Sequence, residues 1–230
     1  MNTYTFIMFL QLLISILFYI YMSKSFASKK KDNSVLEKEN EKEMEKLNKF
    51  ISYSKGIFNN DNQIKEEKAA TGEVRTPEAK HIAEVCNDKI QNLPKDFKGY
   101  FMIDETYYNH GDKVTELHHL FLYTVNENNQ VVLTSYEMPK EIEYKDFINS
   151  NDKLTFDYNK LEKNSKFNPI VFKEEDGAFI AESEAEFAPG VIFTAKQKNL
   201  DGKMYVTEIF RKNGEIVSGS EEPIVYHRVK

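Results

Sequence analysis

The sequence predicts a mainly β protein: an antiparallel β-barrel behind an N-terminal transmembrane helix and a charged helical spacer. Three observations carry this reading. Asp176-Gly177, Asp201-Gly202 and Asn213-Gly214 are two-residue hairpin signals, because primed tight turns need positive φ at their centre. Register propagated from these turns, and from a three-residue loop Ala188-Pro189-Gly190, pairs Phe187 with Val191, Phe193 with Phe210 and Phe210 with Val217, and gathers the apolar residues of 169–229 on one face. From Lys98 onward the period of the pattern is two, giving roughly eight to ten strands, a number that favours a closed barrel over a flat sheet.

Tyr4–Met22 is almost wholly apolar, broken only by Thr5, Gln11 and Ser15. Nineteen residues at a rise of about 1.5 Å each reach across a hydrocarbon core of about 30 Å. The same stretch also fits a signal peptide cut after Ser25-Phe26-Ala27. We adopt the anchor, because no Lys or Arg precedes the run and its length exceeds a typical signal core. Lys24, Lys29, Lys30 and Lys31 follow it, so the positive-inside rule places the C-terminal domain in the cytoplasm of a single-pass membrane protein. The domains expected are an anchor over 1–23, a spacer over 24–55 and a barrel over 56–230. Within the spacer, Ser34 and Glu37 fit a capping box. Alternating Glu and Lys over Glu37–Lys49 give i,i+4 pairs, and Met44, Leu47, Phe50 and Ile51 form a narrow stripe that docks the last turns on the domain.

Gly56–Thr76 reads as polar and turn-rich. Thr76-Pro77 resembles a helix start, and Ile82, Val85, Cys86, Ile90 and Leu93 recur at helical spacing up to Pro94. An amphipathic helix is therefore expected there, one able to close an end of the barrel. Further on, Phe101, Ile103, Glu105 and Tyr107 alternate with Tyr100, Met102, Asp104 and Thr106; strands are also expected over Leu117–Val125, Val131–Tyr136 and Leu154–Tyr158.

Charge is unevenly spread. The chain carries a net charge of −6, yet residues 24–55 alone hold nine Lys and six acidic residues, so the barrel region is acidic. An acidic domain lacks the basic footprint of nucleic-acid binding, and no nucleic-acid partner is expected. The expected partners are membrane lipid, through Tyr4–Met22, and a small hydrophobic ligand. A single cysteine, Cys86, excludes an internal disulfide and a Cys-rich zinc site. It lies on the apolar stripe and reads as a buried thiol. His118 and His119 are adjacent in a strand, so their side chains point to opposite faces and cannot share an ion. No metal site is expected and no cofactor is indicated; neither a nucleophile elbow, a P-loop nor a dinucleotide fingerprint is present. Enzymatic activity is left open.

The polar exceptions on the meander's apolar face are the informative residues. Register places Ser183, Gln197 and Glu208 among Phe193 and Phe210. Small neighbours Ala181, Ala185 and Ala195 leave space between them. Such a face suits a small apolar ligand with a few polar anchors; alternatively the polar groups are solvated at a barrel mouth.

Gly56-Ile57-Phe58-Asn59-Asn60-Asp61-Asn62-Gln63 is similar to the element that opens CpeT/CpcT-type bilin lyases. Phe101–Tyr108, Leu117–Pro139 and the closing Gly219–Arg228 stretch resemble later strands of that family, so the resemblance covers about 47–230. Thr106 stands where the family has Gln after Glu105. The resemblance implies a calycin/lipocalin-like barrel, attachment of open-chain tetrapyrroles to cysteines as its activity, and Glu105 and Tyr107 as pocket residues. Three functions are thus expected as alternatives: a membrane-anchored binding module for a small hydrophobic or tetrapyrrole-like ligand, a bilin-lyase-like enzyme, and a membrane-tethered interaction domain with a filled barrel.

Overall fold

The computed structural model describes residues 37–229. Helix α1 covers 37–54 and α2 covers Asp61–Thr71. The strands are β1 (Gly56–Asn59), β2 (Glu78–Val85), β3 (Ile90–Gln91), β4 (Tyr100–Asn109), β5 (Val114–Val125), β6 (Val131–Tyr136), β7 (Phe156–Asp157), β8 (Ile170–Glu175), β9 (Ala178–Ala188), β10 (Val191–Leu200), β11 (Lys203–Lys212), β12 (Glu215–Gly219) and β13 (Ile224–Arg228). Their order is β10-β9-β8-β6-β5-β4-β2-β1-β13-β11, and β11 pairs back onto β10. Every pairing around this circuit is antiparallel, so the sheet closes into a barrel. Among the described residues no helix is long and apolar enough to cross a membrane. Tyr4–Met22, the lysines that follow it and the Ser34 cap lie outside the described residues.

The hairpins hold the expected register over most of their length. Glu174 faces Phe179, Phe193 faces Phe210 and Ala185, and Ala195 faces Glu208 and Ser183. Asp176 and Asn213 have φ of 49° and 53°, followed by Gly177 and Gly214 at 78° and 87°, as primed turns require. At Asp201-Gly202 only the glycine has positive φ, so that turn is not of the primed type expected. Two pairings differ from expectation. Val191 faces Ala188, not Phe187, around the two-residue turn Pro189-Gly190, and Ile192 then faces Glu186. Proline fits the second position of a turn whose third residue, Gly190, has φ 72°. The extra residue Phe187 forms a bulge that restores the shared face one step later. Phe210 faces Ser218 rather than Val217, through a similar irregularity. Val217 is therefore exposed and does not belong to the inner face.

The helix expected after Pro77 is instead β2. Pairing decides this: β2 is hydrogen-bonded on one edge to β1 and on the other to β4 over its full length. The helical spacing of Ile82, Val85 and Cys86 was coincident with a strand alternation of Ala79, His81 and Ala83. The stretch 56–76 also carries more structure than its polarity suggests, namely β1 and α2. Asn60 fixes that corner. It is fully buried, donates from Nδ2 to Pro77 O at 2.8 Å and accepts from Ala79 N at 2.7 Å.

One end of the barrel is closed by the last turns of α1, which form a single compact unit with it from Glu45 onward. Phe50 is fully buried against Tyr123, Phe172 and Phe179, at ring separations of 5.1, 4.7 and 5.1 Å. Lys46 and Lys49 pair with Glu174. Arg228 Nη2 donates to Ser52 O and Tyr53 O, which are orphan carbonyls of the last helical turn. These partners come from β5, β8, β9 and β13, so the helix end sits across the barrel opening as a plug.

On the outer side of β4 and β5 the segment 137–161 folds over the wall. It buries Phe101, Ile103, Leu120 and Cys86 together with its own Phe147, Leu154 and Phe156. Both faces of β4 are consequently buried from Phe101 to Thr106.

Candidate functional site: a polar cluster on the inward face

Register identifies the residues that face into the barrel. Those near α1 are packed: Phe58, Met204, Phe172, Phe179, Asn199 and Tyr226 are each 1% exposed or less. Those toward the opposite end are not. Ser183, Ala185, Phe193, Ala195, Gln197 and Phe210 are half-buried, although each points inward, and Glu208 is exposed. A filled barrel would bury these side chains as completely as the lower ones. The upper half of the interior is therefore reached by solvent.

Between the packed floor and the open end lies a group of polar side chains from five strands. β2 contributes His81, β4 contributes Asp104, Thr106 and Tyr108, β5 contributes His119, β11 contributes Glu208 and β13 contributes Tyr226. Asp104 faces His119 across one edge of β4, while Thr106 faces His81 across the other. His81 Nε2 lies 3.3 Å from Asp104 Oδ2, and His81 Nδ1 lies 3.1 Å from Thr106 Oγ1. The Thr106 hydroxyl donates to Asp104 Oδ1 at 3.5 Å. His81 is sandwiched by aromatic rings, Tyr226 at 5.7 Å and Phe58 at 6.1 Å. The phenols of Tyr108 and Tyr226 act on one another.

Burial sets the protonation of this cluster. It pushes the Asp104 carboxyl up to about 7, against the opposing electrostatic pull of the His119 imidazole and the Thr106 hydrogen bond. It pushes the His81 imidazole down to about 4, and lowers His119 as well. His81 and Asp104 are thus held as a neutral pair, because separated charges are expensive where water is excluded. With His81 protonated on Nδ1, the three groups close a ring of contacts: Nδ1–H donates to Thr106 Oγ1, Thr106 O–H donates to Asp104 Oδ1, and Asp104 Oδ2 lies 3.3 Å from His81 Nε2. Desolvation by the barrel wall raises the Glu208 carboxyl to about 7, and Asp104 adds to the rise. Glu208 nonetheless remains accessible to solvent at its inward register position. Burial also raises the phenols of Tyr108 and Tyr226 far above the usual range, leaving both neutral.

Phe193 and Phe210 lie higher, with ring centroids 4.7 Å apart. Phe167 and Phe187 join them, at 5.6 Å from Phe193 and 5.3 Å from Phe210 respectively. Gln197 reaches down instead, donating to Asn199 Oδ1 at 3.0 Å; Asn199 in turn donates to Ser54 Oγ of α1 at 2.8 Å. Ser183, Gln197, Glu208, Phe193 and Phe210 are thus all on the inward face.

Glu105 and Tyr107 are not. They occupy the opposite face of β4, outside the lumen. Glu105 is buried beneath 137–161, accepting from Tyr107 Oη at 2.5 Å and from Asn149 N at 2.7 Å. Tyr107 also borders an open outer groove of about 330 Å³, with Ile57, Lys80, Asn109 and Val114. His118 and His119 point to opposite faces as expected, but His118 is not solvated. It is buried with its ring stacked on Tyr144 at 4.5 Å. Cys86 is fully buried, and burial pushes its thiol up to about 12, so that it stays protonated near neutral pH. Among the described residues no cluster of His, Cys, Asp or Glu has the geometry of a metal site.

His81, Asp104, Tyr108 and Tyr226 did not stand out in the sequence, and His119 was weighed only as half of a metal pair. Asp104 and Thr106 were already on one face of an alternating strand, but nothing told which face was inward. His81 was hidden by the helical reading of its segment.

No protein-family model matches the chain, and no curated protein matches it.

Proposed function

We propose that the protein is a binding module whose barrel takes up a small amphipathic ligand through the end remote from α1. The observation that supports this reading is the change in burial along one inward face. Aromatic and aliphatic side chains fill the barrel near α1, whereas small residues, half-exposed phenylalanines and an exposed carboxyl line it above. A barrel whose only task is to present its outer surface gains stability from an apolar filling, while polar groups taken from water cost free energy unless they are partnered. In this reading the Phe193–Phe210 group holds the apolar part of the ligand, and Glu208, Tyr108 and the Asp104–His81–Thr106 ring meet its polar part. The calycin-like architecture belongs to the same proposal, as does tethering of the barrel to a membrane through Tyr4–Met22.

Calorimetric titration of the full-length protein with biliverdin, haem, a long-chain fatty acid and a long-chain alcohol tests it. Saturable binding of one ligand per chain is expected for at least one of them, with Ala195→Phe abolishing it by filling the space opposite Glu208. If none of the four saturates, the barrel is an interaction scaffold. A tetrapyrrole that becomes covalently transferred to an acceptor cysteine would instead make the protein a lyase.

A further inference from the structure

We propose that the polar end of the ligand is a cation, the protonated amine of an amphiphile, with Glu208 as its partner. This rests on the binding reading above and assigns the chemical class of the ligand.

Sign is the first argument. Among the described residues, the basic side chains at inward register positions lie only at the two ends of the barrel. Arg228 is held at the α1 end by Asp201, Ser52 and Tyr53. Lys212 adjoins the turn Asn213-Gly214 at the far tip. Between them the interior presents Asp104 and Glu208 from different walls. The imidazoles there do not offset this, since burial keeps His81 and His119 uncharged near neutral pH. The phenols of Tyr108 and Tyr226 stay neutral too. An anionic headgroup, a carboxylate or a propionate, would meet acidic groups with no base to receive it.

Partnership is the second argument. Asp104 is satisfied by His81 and Thr106. Glu208 has no hydrogen bond or ion pair among the described residues, though Asp104, Tyr108 and Tyr226 all act on it or are acted on by it electrostatically. On its backbone side Gly219 approaches so closely that a side chain there would lie 1.9 Å from the Glu208 carbonyl oxygen. The cross-strand partner of Glu208 is Ala195; it and Ser183, on the next strand along the same row, are small and half-buried. An inward-facing carboxylate beside small residues and lacking a protein partner is completed by an ammonium group. The phenylalanine group above it then receives the alkyl chain.

The test compares dodecylamine, dodecanol and dodecanoate at submicellar concentration, titrated into the full-length protein at pH 8. Dodecylamine is expected to bind at least ten-fold more tightly than dodecanol, and dodecanoate more weakly than either. Glu208→Gln should bring dodecylamine to the affinity of dodecanol and leave dodecanol unchanged. Glu184→Gln, at an exposed outward position, should alter neither. Amine affinity should also fall between pH 8 and pH 6 as Glu208 takes up a proton, in the company of Asp104, Tyr108, Tyr226, His81 and His119. Equal binding of amine and alcohol, or preference for dodecanoate, overturns the cation assignment while leaving a binding barrel. Absence of binding by all three overturns the binding reading and this assignment with it.

Discussion

At the scale of single residues the inward cluster makes a signed prediction about pH. Asp104 has a raised pKa, so its contribution to stability is full below its unfolded value near 4 and is lost as pH rises through about 7. His81 has a lowered pKa, so its contribution is full above about 6.5 and is lost as pH falls through about 4. Between about 4 and 6.5 the folded pair and the unfolded pair each hold one proton, one on Asp104 and the other on His81. The two slopes cancel there. His81→Gln removes one of them. Its stability should then fall relative to the parent as pH rises from about 4 to 7, by on the order of 2–4 kcal/mol, measured as the urea midpoint across that range. Glu208 contributes the same slope to both proteins and drops out of the difference. Parallel curves for the parent and His81→Gln would show that burial does not lower the pKa of His81. Asp104 and Thr106 could be placed on one face from the alternation of Tyr100–Tyr108 alone. Their role could not, because both faces of that strand are buried, one by the barrel interior and one by 137–161. Glu105 sat on the more apolar of the two faces, next to Phe101 and Ile103, and so resembled a lumen residue while facing the other way.

Among the elements, α1 does more than separate the barrel from what precedes it. Its Leu47, Phe50 and Ile51 are buried, and its C-terminal carbonyls are capped by a strand arginine. Phe50→Ala should cost about 3–5 kcal/mol, the range for truncating a fully buried phenylalanine, read by chemical denaturation of the full chain. A loss below about 1 kcal/mol would mean that the helix end rests on the barrel without plugging it. The docking stripe of this helix was legible because an amphipathic pattern needs only local spacing. β2 was not legible for a matching reason: its apolar residues satisfy helical and strand periods alike, and the choice is made by hydrogen bonds to β1 and β4, which are more distant in sequence. Hairpin register was legible wherever Asp-Gly or Asn-Gly set the turn. It failed by one residue at Phe187 and at Val217, where bulges absorb a residue that turn chemistry does not announce.

For the molecule as a whole, one end of the barrel is filled and the other is open to solvent. Closure of the circuit could be expected from strand number and one shared apolar face. Openness could not, since it depends on how Ala195, Ser183 and Ala185 stand opposite Glu208 and the phenylalanines after the barrel has closed. The chain contains no tryptophan, so Phe193→Trp introduces a single indole at the inward face of the upper half. Acrylamide quenching of that indole in the full-length protein tests the claim most directly. Efficient quenching is predicted in the free protein, falling sharply when dodecanol is added to saturation. An indole already shielded from acrylamide in the free protein, with no change on adding any of the amphiphiles, would show a barrel filled from end to end and contradict the account.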